Sequence, residues 1–438
     1  MNYEEAKNYL LGIPKFAGKN DLNNLRGLLE ELGNPHKKGK AIHVAGTNGK
    51  GSVCAFLSSI LNQAGYRVGV FTSPHLVKVN ERFRIQDTMI DDESFLQVFQ
   101  QVMEVVQIGI QKGYQHPSFF EYMFLMAACW FEKQQPDYII YETGLGGRLD
   151  ATNVLEPCLT ILTSIGMDHM EYLGDSLEQI AGEKAGILKL NTPCIYLKQQ
   201  DISSQVIEKR GQELGIPLIP VENNKITIDE IGEEYIDFSY VNQYDNTYRL
   251  TESPDTYRIR KTALYQMENA ALAIEAGYFL LTKACLAQQI AAQVHQGIYQ
   301  MQWPGRMEEL EPGIFVDGAH NEPAIRSFCD TLTRIYRDKK IILLFAVAKD
   351  KRYNEMIRIL CEAVSYERII VTAIEGERVT PVEQVAELFQ QYTDCHIETE
   401  ETISKALDLA RNYLEADSRV FCVGSLYLVG HLIAEKEE

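Results

Sequence analysis

Short apolar runs alternate with helical patterns through residues 1–300 of this 438-residue chain, and this alternation is the feature that most constrains its fold. The runs AIHVAG, RVGVFTS, DYIIYETG, LTILTSIG and TPCIYL are rich in β-branched residues, and amphipathic segments such as Ser52 to Ala64 separate them. Continuous apolar strands joined by helices are typical of a parallel sheet covered on both faces. The sequence therefore predicts an α/β domain over residues 1–300.

Two interruptions divide the chain. Residues 222–262 alternate polar with apolar residues and are rich in Asn, Asp and Gly, which favours a small antiparallel β subdomain. Pro304 and Gly305 end the helical pattern near residue 300, and the alternation then restarts in GIFVDGA, KIILLFAVA, ERIIVTAIE and RVFCVGS. We therefore expect a second, smaller, Rossmann-like α/β domain over residues 301–438.

The composition excludes several classes of protein. A formal net charge of −19 disfavours a nucleic-acid surface, because phosphate backbones reward clustered Lys and Arg. The nine cysteines include no C-x-x-C pair, so neither a disulfide framework nor a zinc knuckle is indicated. The start MNYEEAKNYL lacks the basic segment of a signal peptide, and no apolar run approaches the roughly 18 residues of a membrane span. We expect a soluble cytoplasmic protein with reduced thiols.

A glycine-rich heptapeptide, GTNGKGS, follows the first apolar run directly. A strand, a glycine-rich turn and a helix start are the arrangement in which backbone N–H groups meet a phosphate. The spacing differs from the standard phosphate-binding loop, in which Lys and Ser or Thr are adjacent, because Gly51 separates Lys50 from Ser52. Lys50 is expected to reach the terminal phosphates, and the Ser52 hydroxyl to help hold a metal ion; a tight connection without a ligand is the alternative. The predicted phosphate loop comprises Gly46, Thr47, Asn48, Gly49, Lys50, Gly51 and Ser52.

Polar side chains follow three further predicted strands. FTSPH presents Ser73 and His75, IIYETG presents Glu142, and LTSIGMDH presents Asp168 and His169. Ligands gather beyond the carboxyl ends of strands in open α/β sheets, so these groups are expected to converge on a Mg²⁺ site beside the phosphates.

Each of these side chains also has a structural explanation. Ser73 could cap a turn before Pro74, Glu142 could pair with Arg148, and His169 could be an ordinary loop histidine.

Eight motifs carry a family resemblance. In chain order they are HVAGTNGKGS, FTSPHL, ETGLGGRLDATN, TSIGMDHMEYLG, IAGEKAGILK, WPGRME, VDGAHN and GSLYLVG. This series, from about residue 40 to 430, resembles the folylpolyglutamate synthase/dihydrofolate synthase family of Mur-ligase-like amide-forming enzymes. The resemblance implies an ATP-driven amide bond between a pteridine-bearing carboxylate and L-glutamate, formed through an acyl phosphate.

The resemblance also implies roles for residues of the first domain. Ser73 and Glu142 resemble ligands of the Mg²⁺ that bridges the β- and γ-phosphates, and His169 with Glu142 resembles the holder of a second ion. Lys184 stands where the family carries a lysine carbamylated by CO₂, which would make it a metal ligand. By sequence alone Lys184 would be a surface lysine paired with Glu183 or Glu178.

The remaining roles concern nucleotide and substrate. Arg306 and Asp317 resemble contacts to ATP phosphate and ribose, reaching across an interdomain cleft, and Asn269 resembles an adenine-recognising position. Candidates for binding glutamate are Arg82, His320 and Ser425, with a surface arginine and strand-end turns as alternatives. Candidates for the pterin side are Asp150, Phe119 and Phe120, although an aromatic pair is commonly core. The expected catalytic set is Lys50, Lys184, Asp150 and His320.

The chain departs from the family pattern at two places. Tyr265 and Gln266 stand where Gly-x-His-Gln is common, which predicts a rebuilt adenine pocket, and Lys349-Asp350-Lys351 replaces the usual Asp-Lys-Asp turn.

The shared motifs leave the acceptor open. It could be a folate, dihydropteroate or both, and a nucleotide-dependent switch without ligation is the rival from another class. The expected partners are ATP, L-glutamate and a pterin acceptor, with no nucleic acid or membrane, and the chain is expected to be a monomer.

Overall fold

The computed structural model describes residues 1–14, 22–243, 255–260, 263–282, 287–374, 376 and 379–437. The chain divides into two compact units. One comprises Met1–Ile226, Tyr240–Asp255 and Glu268–Met301, and the other Thr227–Ser239, Thr256–Met267 and Gln302–Glu438. Parts of the predicted 222–262 subdomain, residues 244–254 and 261–262, lie outside the described residues. The boundary at residues 300 and 301 stays a prediction.

An eight-stranded sheet forms the centre of the first unit, in the order β4-β3-β2-β5-β1-β6-β7-β8. The neighbouring strands in the series β2-β5-β1-β6-β7-β8 all pair in parallel. Strands β3 and β4 extend the β2 edge with antiparallel pairings. The five apolar runs of the sequence become β1, β2, β5, β6 and β7, which confirms the predicted parallel sheet. The strands are β1 Lys40–Ala45, β2 Val68–Phe71, β3 Phe83–Ile85, β4 Thr88–Met89, β5 Tyr138–Glu142, β6 Leu159–Leu162, β7 Cys194–Lys198 and β8 Leu218–Glu222.

Helices cover both faces of this sheet. The Phe119–Gln134 helix is buried over most of its length because its sequence, FFEYMFLMAACWF, is apolar on all sides, and a capping box between Ser118 and Glu121 starts it. The helices are α1 Tyr3–Leu11, α2 Leu22–Glu31, α3 Lys50–Gln63, α4 Asp92–Gln111, α5 Phe119–Gln134, α6 Met170–Leu173, α7 Leu177–Ala185, α8 Ile202–Leu214, α9 Gln266–Leu281 and α10 Ala287–Gln300.

The other unit contains two sheets. The antiparallel β subdomain predicted within residues 222–262 is confirmed as three strands in the order β11-β10-β9, and a six-stranded sheet has the order β12-β13-β17-β14-β15-β16. The strands are β9 Ile226–Ile231, β10 Tyr235–Tyr240, β11 Asp255–Arg260, β12 Arg306–Glu311, β13 Ile314–Asp317, β14 Lys340–Phe345, β15 Arg368–Thr372, β16 His396–Glu400 and β17 Ser418–Val423. Its helices are α11 Glu322–Ile335, α12 Tyr353–Ala363, α13 Val382–Gln390, α14 Ile403–Tyr413 and α15 Leu426–Glu437.

The larger sheet of this unit matches the predicted α/β pattern in its interior. The four predicted apolar runs become β13, β14, β15 and β17, which pair in parallel. The sequence did not indicate β12 and β16, which read RMEELE and HIETE and form the two edges. Edge strands are half-exposed and tolerate charge, so they lack an apolar signature. No helix in the described part of the chain is long and apolar enough to cross a membrane.

Candidate active site

The predicted phosphate loop connects β1 to the first turn of α3. Gly46 and Gly49 have φ angles of 155° and 84°. A Cβ atom on Gly46 would lie 1.8 Å from Oγ1 of Thr163, and one on Gly49 would lie 2.1 Å from Oδ1 of Asn269. Glycine is therefore required at both positions, by the backbone conformation and by the closeness of the neighbouring side chains.

The segment after β6 holds the loop in place. The backbone N–H of Thr47 donates to the carbonyl of Ser164 at 2.7 Å, and the Thr163 hydroxyl donates to the carbonyl of Asn48 at 2.6 Å. The Lys50 ammonium folds back over the loop and donates to the carbonyls of Gly46 (3.2 Å) and Thr47 (3.0 Å). The sequence did not single out Thr163, although its position directly after a predicted strand was a usable signal.

Glu142 and Ser73 meet at the ends of neighbouring strands. Glu142 ends β5 beside Val44 of β1, it is buried, and its Oε2 accepts the backbone N–H of Ser73 at 2.9 Å. The Ser52 hydroxyl, in the first turn of α3, is buried and has no hydrogen-bond partner among the described residues. A buried carboxylate and an unsatisfied hydroxyl are the oxygen donors that Mg²⁺ accepts alongside phosphate and water.

The protein offers few metal ligands at this site. Within the described ranges, no group of three or more His, Cys, Asp or Glu side chains is placed to hold a metal ion. Mg²⁺ commonly uses one or two carboxylates together with substrate phosphates, so the residues present fit that ion better than a resident transition metal.

Lys184, near the end of α7, is buried, and its Nζ donates to the carbonyl of Gly46 at 2.7 Å. Burial, with a smaller contribution from the charge of Lys50, lowers the pKa of Lys184 to about 7, while Asp168 and Asp150 oppose the shift. The alternative of a surface lysine is therefore wrong.

The ion pair formed by Arg148 excludes two of the salt bridges that the sequence offered as structural alternatives. Its guanidinium forms an ion pair with Glu183 at 2.8 Å, so the expected pairing of Glu183 with Lys184 and that of Arg148 with Glu142 are both replaced.

His169 lies on the loop that follows β6. It is exposed, has a φ of 52°, and its backbone N–H donates to Oδ1 of Asp168 at 2.9 Å. Its Nε2 lies 3.8 Å from Oδ2 of Asp168. The predicted role of His169 at a second metal ion stays a prediction.

Asp150 is buried and saturated with hydrogen bonds from its own loop. Its Oδ2 accepts the backbone N–H groups of Gly144 (2.8 Å) and Leu145 (2.9 Å), and its Oδ1 accepts from Thr152. Burial raises the pKa of Asp150, against the effect of these hydrogen bonds. The carboxylate therefore shapes the loop after β5, and its predicted part in catalysis stays a prediction.

Arg82 lies in a cluster with His75 and Phe119. It is buried, so the alternative of a surface arginine is wrong; its Nε donates to Nδ1 of His75 at 2.8 Å and its guanidinium lies 5.2 Å from the centre of the Phe119 ring. Phe119 belongs to the hydrophobic core, as the structural alternative expected. Phe120 is half-buried, and its ring lies 2.8 Å from the position of a Cβ on Gly144.

Asn269 lies in α9 against the phosphate loop, as its contact with Gly49 shows. Its predicted contact with adenine stays a prediction, and the observed packing adds a role in holding the loop.

In the other unit, Asp317 ends β13 and organises its surroundings. Its Oδ2 accepts from the Tyr265 hydroxyl at 2.6 Å and from the backbone N–H of Met307 at 3.0 Å, and its Oδ1 accepts from that of Ala319 at 2.8 Å. Burial raises the pKa of Asp317, and Arg306 counteracts the shift. The sequence flagged Tyr265 as a departure but could not identify its partner.

Arg306, His320 and Ser425 lie close to this carboxylate in the fold. Nη1 of Arg306 lies 1.8 Å from the position of a Cβ on Gly318, so the guanidinium packs directly against this glycine. Nδ1 of His320 is 2.8 Å from the Gly318 carbonyl, and the buried Ser425 hydroxyl accepts the backbone N–H of Tyr427 at 3.1 Å.

A backbone hydrogen bond joins the two loops that carry these residues. The N–H of Gly424, after β17, donates to the carbonyl of Ala319, after β13, at 3.0 Å. The predicted residues thus form two groups, one in each unit.

The remaining departures from the family pattern are Gln266 and the Lys349-Asp350-Lys351 turn. Gln266 is buried at the start of α9, whereas Lys349 and Asp350 are exposed in the turn after β14.

Both α/β regions of the chain match known protein families. Residues 44–277 match the model of the Mur ligase middle domain, and residues 305–426 match that of the Mur ligase glutamate ligase domain.

Similar proteins carry two related names. The chain is 37% identical over 363 residues to the dihydrofolate synthase/folylpolyglutamate synthase of Bacillus subtilis, covering 81% of this chain and 82% of that protein. It is 30% identical over 440 residues to the dihydrofolate synthetase of Saccharomyces cerevisiae, covering 94% and 96%. Among solved structures, E. coli FolC in complex with DHPP and ADP has a TM-score of 0.84 at 26% identity, over 100% of this chain and 98% of that one.

Proposed function

Because the chain belongs to the folylpolyglutamate synthase/dihydrofolate synthase family of ATP-dependent Mur ligases, we propose that it joins L-glutamate to a pteridine-bearing carboxylate. The observation that carries this proposal is the closed glycine loop between β1 and α3, with the Lys50 ammonium folded over it. A helix N-terminus and a lysine supply local positive charge in an otherwise acidic chain, which suits a triphosphate.

The reaction needs ATP because a carboxylate has no good leaving group. An oxygen of the acceptor carboxylate attacks the γ-phosphorus, the bond to the β-phosphate oxygen breaks, and ADP leaves. The free amine of glutamate then attacks the acyl carbon, inorganic phosphate leaves with the C–O bond electrons, and the amine gives up a proton. Residues 46–52 would bind the phosphates through backbone N–H groups, and the Lys50 ammonium would contact the β-phosphate and hold the γ-phosphate in line.

Glu142, the Ser73 side chain and the Ser52 hydroxyl would hold Mg²⁺, and His169 with Glu142 a second ion. The unsatisfied Ser52 hydroxyl and the buried Glu142 carboxylate support this assignment. Mg²⁺ bound there would neutralise charge on the β- and γ-phosphates.

Lys184 is proposed to carry a carbamate. The support is its family position together with its burial and its 2.7 Å contact with the first carbonyl of the phosphate loop. As a carbamate it would be an anion near the metal ligands, whereas an ammonium there would repel Mg²⁺.

The other unit is proposed to contact nucleotide and glutamate. Arg306 would bind ATP phosphate, Asp317 the ribose, and His320 and Ser425 the incoming glutamate, with Arg82 of the first unit. The contacts around Asp317 support a preformed site, because three donors hold its carboxylate before any ligand binds. Asp150 and the half-buried Phe120 would line the pterin side, with Phe119 behind them in the core. The monomeric state and the cytoplasmic location stay predictions.

The acceptor is proposed to be a folate, with dihydropteroate as a second substrate. The names of the relatives support both activities, and a chain restricted to dihydropteroate is the second candidate. Phosphate release and glutamylated product should be measured with ATP, glutamate and either dihydropteroate or reduced folates. Product from both acceptors is expected, and product from dihydropteroate alone would select the second candidate. Phosphate release that never depends on glutamate would favour a nucleotide switch and reject the ligase.

A further inference from the structure

A cavity of about 430 Å³ lies in the first unit, away from the phosphate loop. Its wall includes residues just before β1, just before β6 and just before β7, such as Lys37, Glu156 and Lys189. These three strands run parallel, so the cavity lies at the edge of the sheet where the strands begin, whereas the phosphate loop follows the end of β1. Six residues of strand separate the two edges by roughly 20 Å.

Five charged side chains line this cavity. Arg26, Lys37 and Lys189 are cationic and Glu30 and Glu156 anionic, and none of the five forms an ion pair with another described residue. Three positive and two negative side chains give the cavity wall a formal charge of +1, a local positive balance in a chain whose net charge is −19.

Lys189 is the most enclosed of the three cations. It is half-buried, and its Nζ donates to the backbone carbonyl of Asn153 at 2.9 Å. Burial lowers the pKa of Lys189, the charge of Arg26 lowers it further, and the charge of Glu156 opposes the shift. A bound anion would act in the same direction as Glu156 and favour the charged form of Lys189.

Two polar atoms in the wall are also unsatisfied. Nδ1 of His36 and Oδ1 of Asn153 are buried without a hydrogen-bond partner among the described residues. Of these two atoms, only the imidazole nitrogen can donate to an anion, because an amide oxygen accepts. The amide nitrogen of Asn153 donates to the carbonyls of Arg148 (2.9 Å) and Gly186 (3.2 Å). Asn153 therefore connects the cavity with the loop that contains Asp150 and with the end of the helix that carries Lys184.

We propose that this cavity binds a small oxyanion, a phosphate or a carboxylate, through Arg26, Lys37 and Lys189. The two carboxylates at its wall limit the excess charge and favour a small ligand over a polyanion such as a nucleotide. The proposal is independent of the ligase reaction, because none of these residues belongs to the candidate active site.

Binding of inorganic phosphate and of succinate should be measured by calorimetry on the full chain, saturated with Mg²⁺ and a non-hydrolysable ATP analogue so that the phosphate loop is blocked. The test variant is Arg26→Gln/Lys37→Gln, because both side chains are exposed and their replacement should leave folding intact. The matched control is Lys133→Gln/Lys209→Gln, which removes two exposed charges of the same unit outside the cavity.

We expect one site per chain whose affinity falls at least tenfold in the test variant and changes less than twofold in the control. Binding of phosphate alone, or of succinate alone, would support the proposal and identify the anion. Binding of neither, or equal loss in the two variants, would overturn it. The titration should be repeated without nucleotide. Because anion binding needs neither ATP nor turnover, the cavity site should be lost in Arg26→Gln/Lys37→Gln there too, even if the proposed ligase function is wrong.

Discussion

At the scale of single residues, Tyr265 is the departure from the family pattern that has a clear structural role. Its hydroxyl donates to Oδ2 of Asp317 at 2.6 Å. If Asp317 binds the ribose as proposed, Tyr265→Phe should raise the KM for ATP about tenfold while leaving kcat within a factor of about two, since a hydrogen bond to a charged group contributes about 1.5 kcal/mol. Steady-state kinetics over a range of ATP concentrations measures both constants.

The control for this prediction is Tyr392→Phe, which removes an exposed hydroxyl of the same unit. A fall in kcat at unchanged KM in Tyr265→Phe would contradict the assignment of Tyr265 as a positioning residue for nucleotide binding.

Lys184 is the second residue whose chemistry can be tested directly. Lys184→Ala should reduce kcat by at least about 10- to 100-fold, since that range applies to outer-shell partners and a carbamate that binds the metal should matter at least as much. A small carboxylate in solution should restore part of the activity by filling the anionic position. Carbon-13 NMR of the wild-type protein with labelled bicarbonate should show a carbamate resonance that Lys184→Ala lacks. An active wild-type protein without that resonance would reject the modification.

At the scale of elements, His43 links β1 to the 3-10 helix Ala151–Val154. Its Nε2 lies 2.7 Å from the Thr152 hydroxyl, which donates in turn to Asp150. Because that hydroxyl already uses its proton, Nε2 of His43 must be the donor, and Nδ1 is left buried without a partner among the described residues. Protonating Nδ1 would place an unpartnered charge in the core.

This arrangement predicts a pH dependence of stability. Burial lowers the pKa of His43 from 6.5 to about 3, so between these values the unfolded chain binds the proton that the folded chain excludes. The free energy of unfolding should therefore fall as the pH drops from 6.5 towards 3. The side-chain amide of His43→Gln can still donate to Thr152 but does not titrate. This variant should therefore reduce the slope of the free energy of unfolding against pH by up to about 1.4 kcal/mol per pH unit.

Urea denaturation across this pH range measures the slope. His396→Gln is the matched control, because His396 is exposed on the edge strand β16. Equal slopes in wild type and His43→Gln would show that other groups cause the acid sensitivity.

At the scale of the whole molecule, nucleotide binding should increase the free energy of unfolding. ADP with Mg²⁺ at about 100 times its Kd should raise the free energy of unfolding of the nucleotide-binding unit by about 2.7 kcal/mol. Lys50→Ala should keep the ligand-free unfolding temperature within about 2 °C, because the hydrogen bonds that the Lys50 ammonium donates to two loop carbonyls are weakly stabilising. The variant should lose most of the ADP-induced rise. Differential scanning calorimetry with and without ADP tests this.

Lys209→Ala, on the exposed face of α8, is the control and should retain the full rise. An undiminished ADP effect in Lys50→Ala would reject the phosphate-loop assignment.

The sequence by itself determined the interior strands, the antiparallel insertion and the glycine loop. These depend on short-range information: β-branched apolar runs mark buried strands, and glycines in a turn between a strand and a helix mark a phosphate loop. The edge strands β12 and β16 escaped detection because half-exposed strands need no apolar pattern.

Only the tertiary structure decided which side chains meet. Lys184 contacts Gly46 across 138 residues, and Tyr265 contacts Asp317 across 52. Arg148 pairs with Glu183, although Glu142 is far closer in sequence. Such pairings depend on how the strands are ordered in the sheet, and strand order follows from the packing of the whole unit, not from any local pattern.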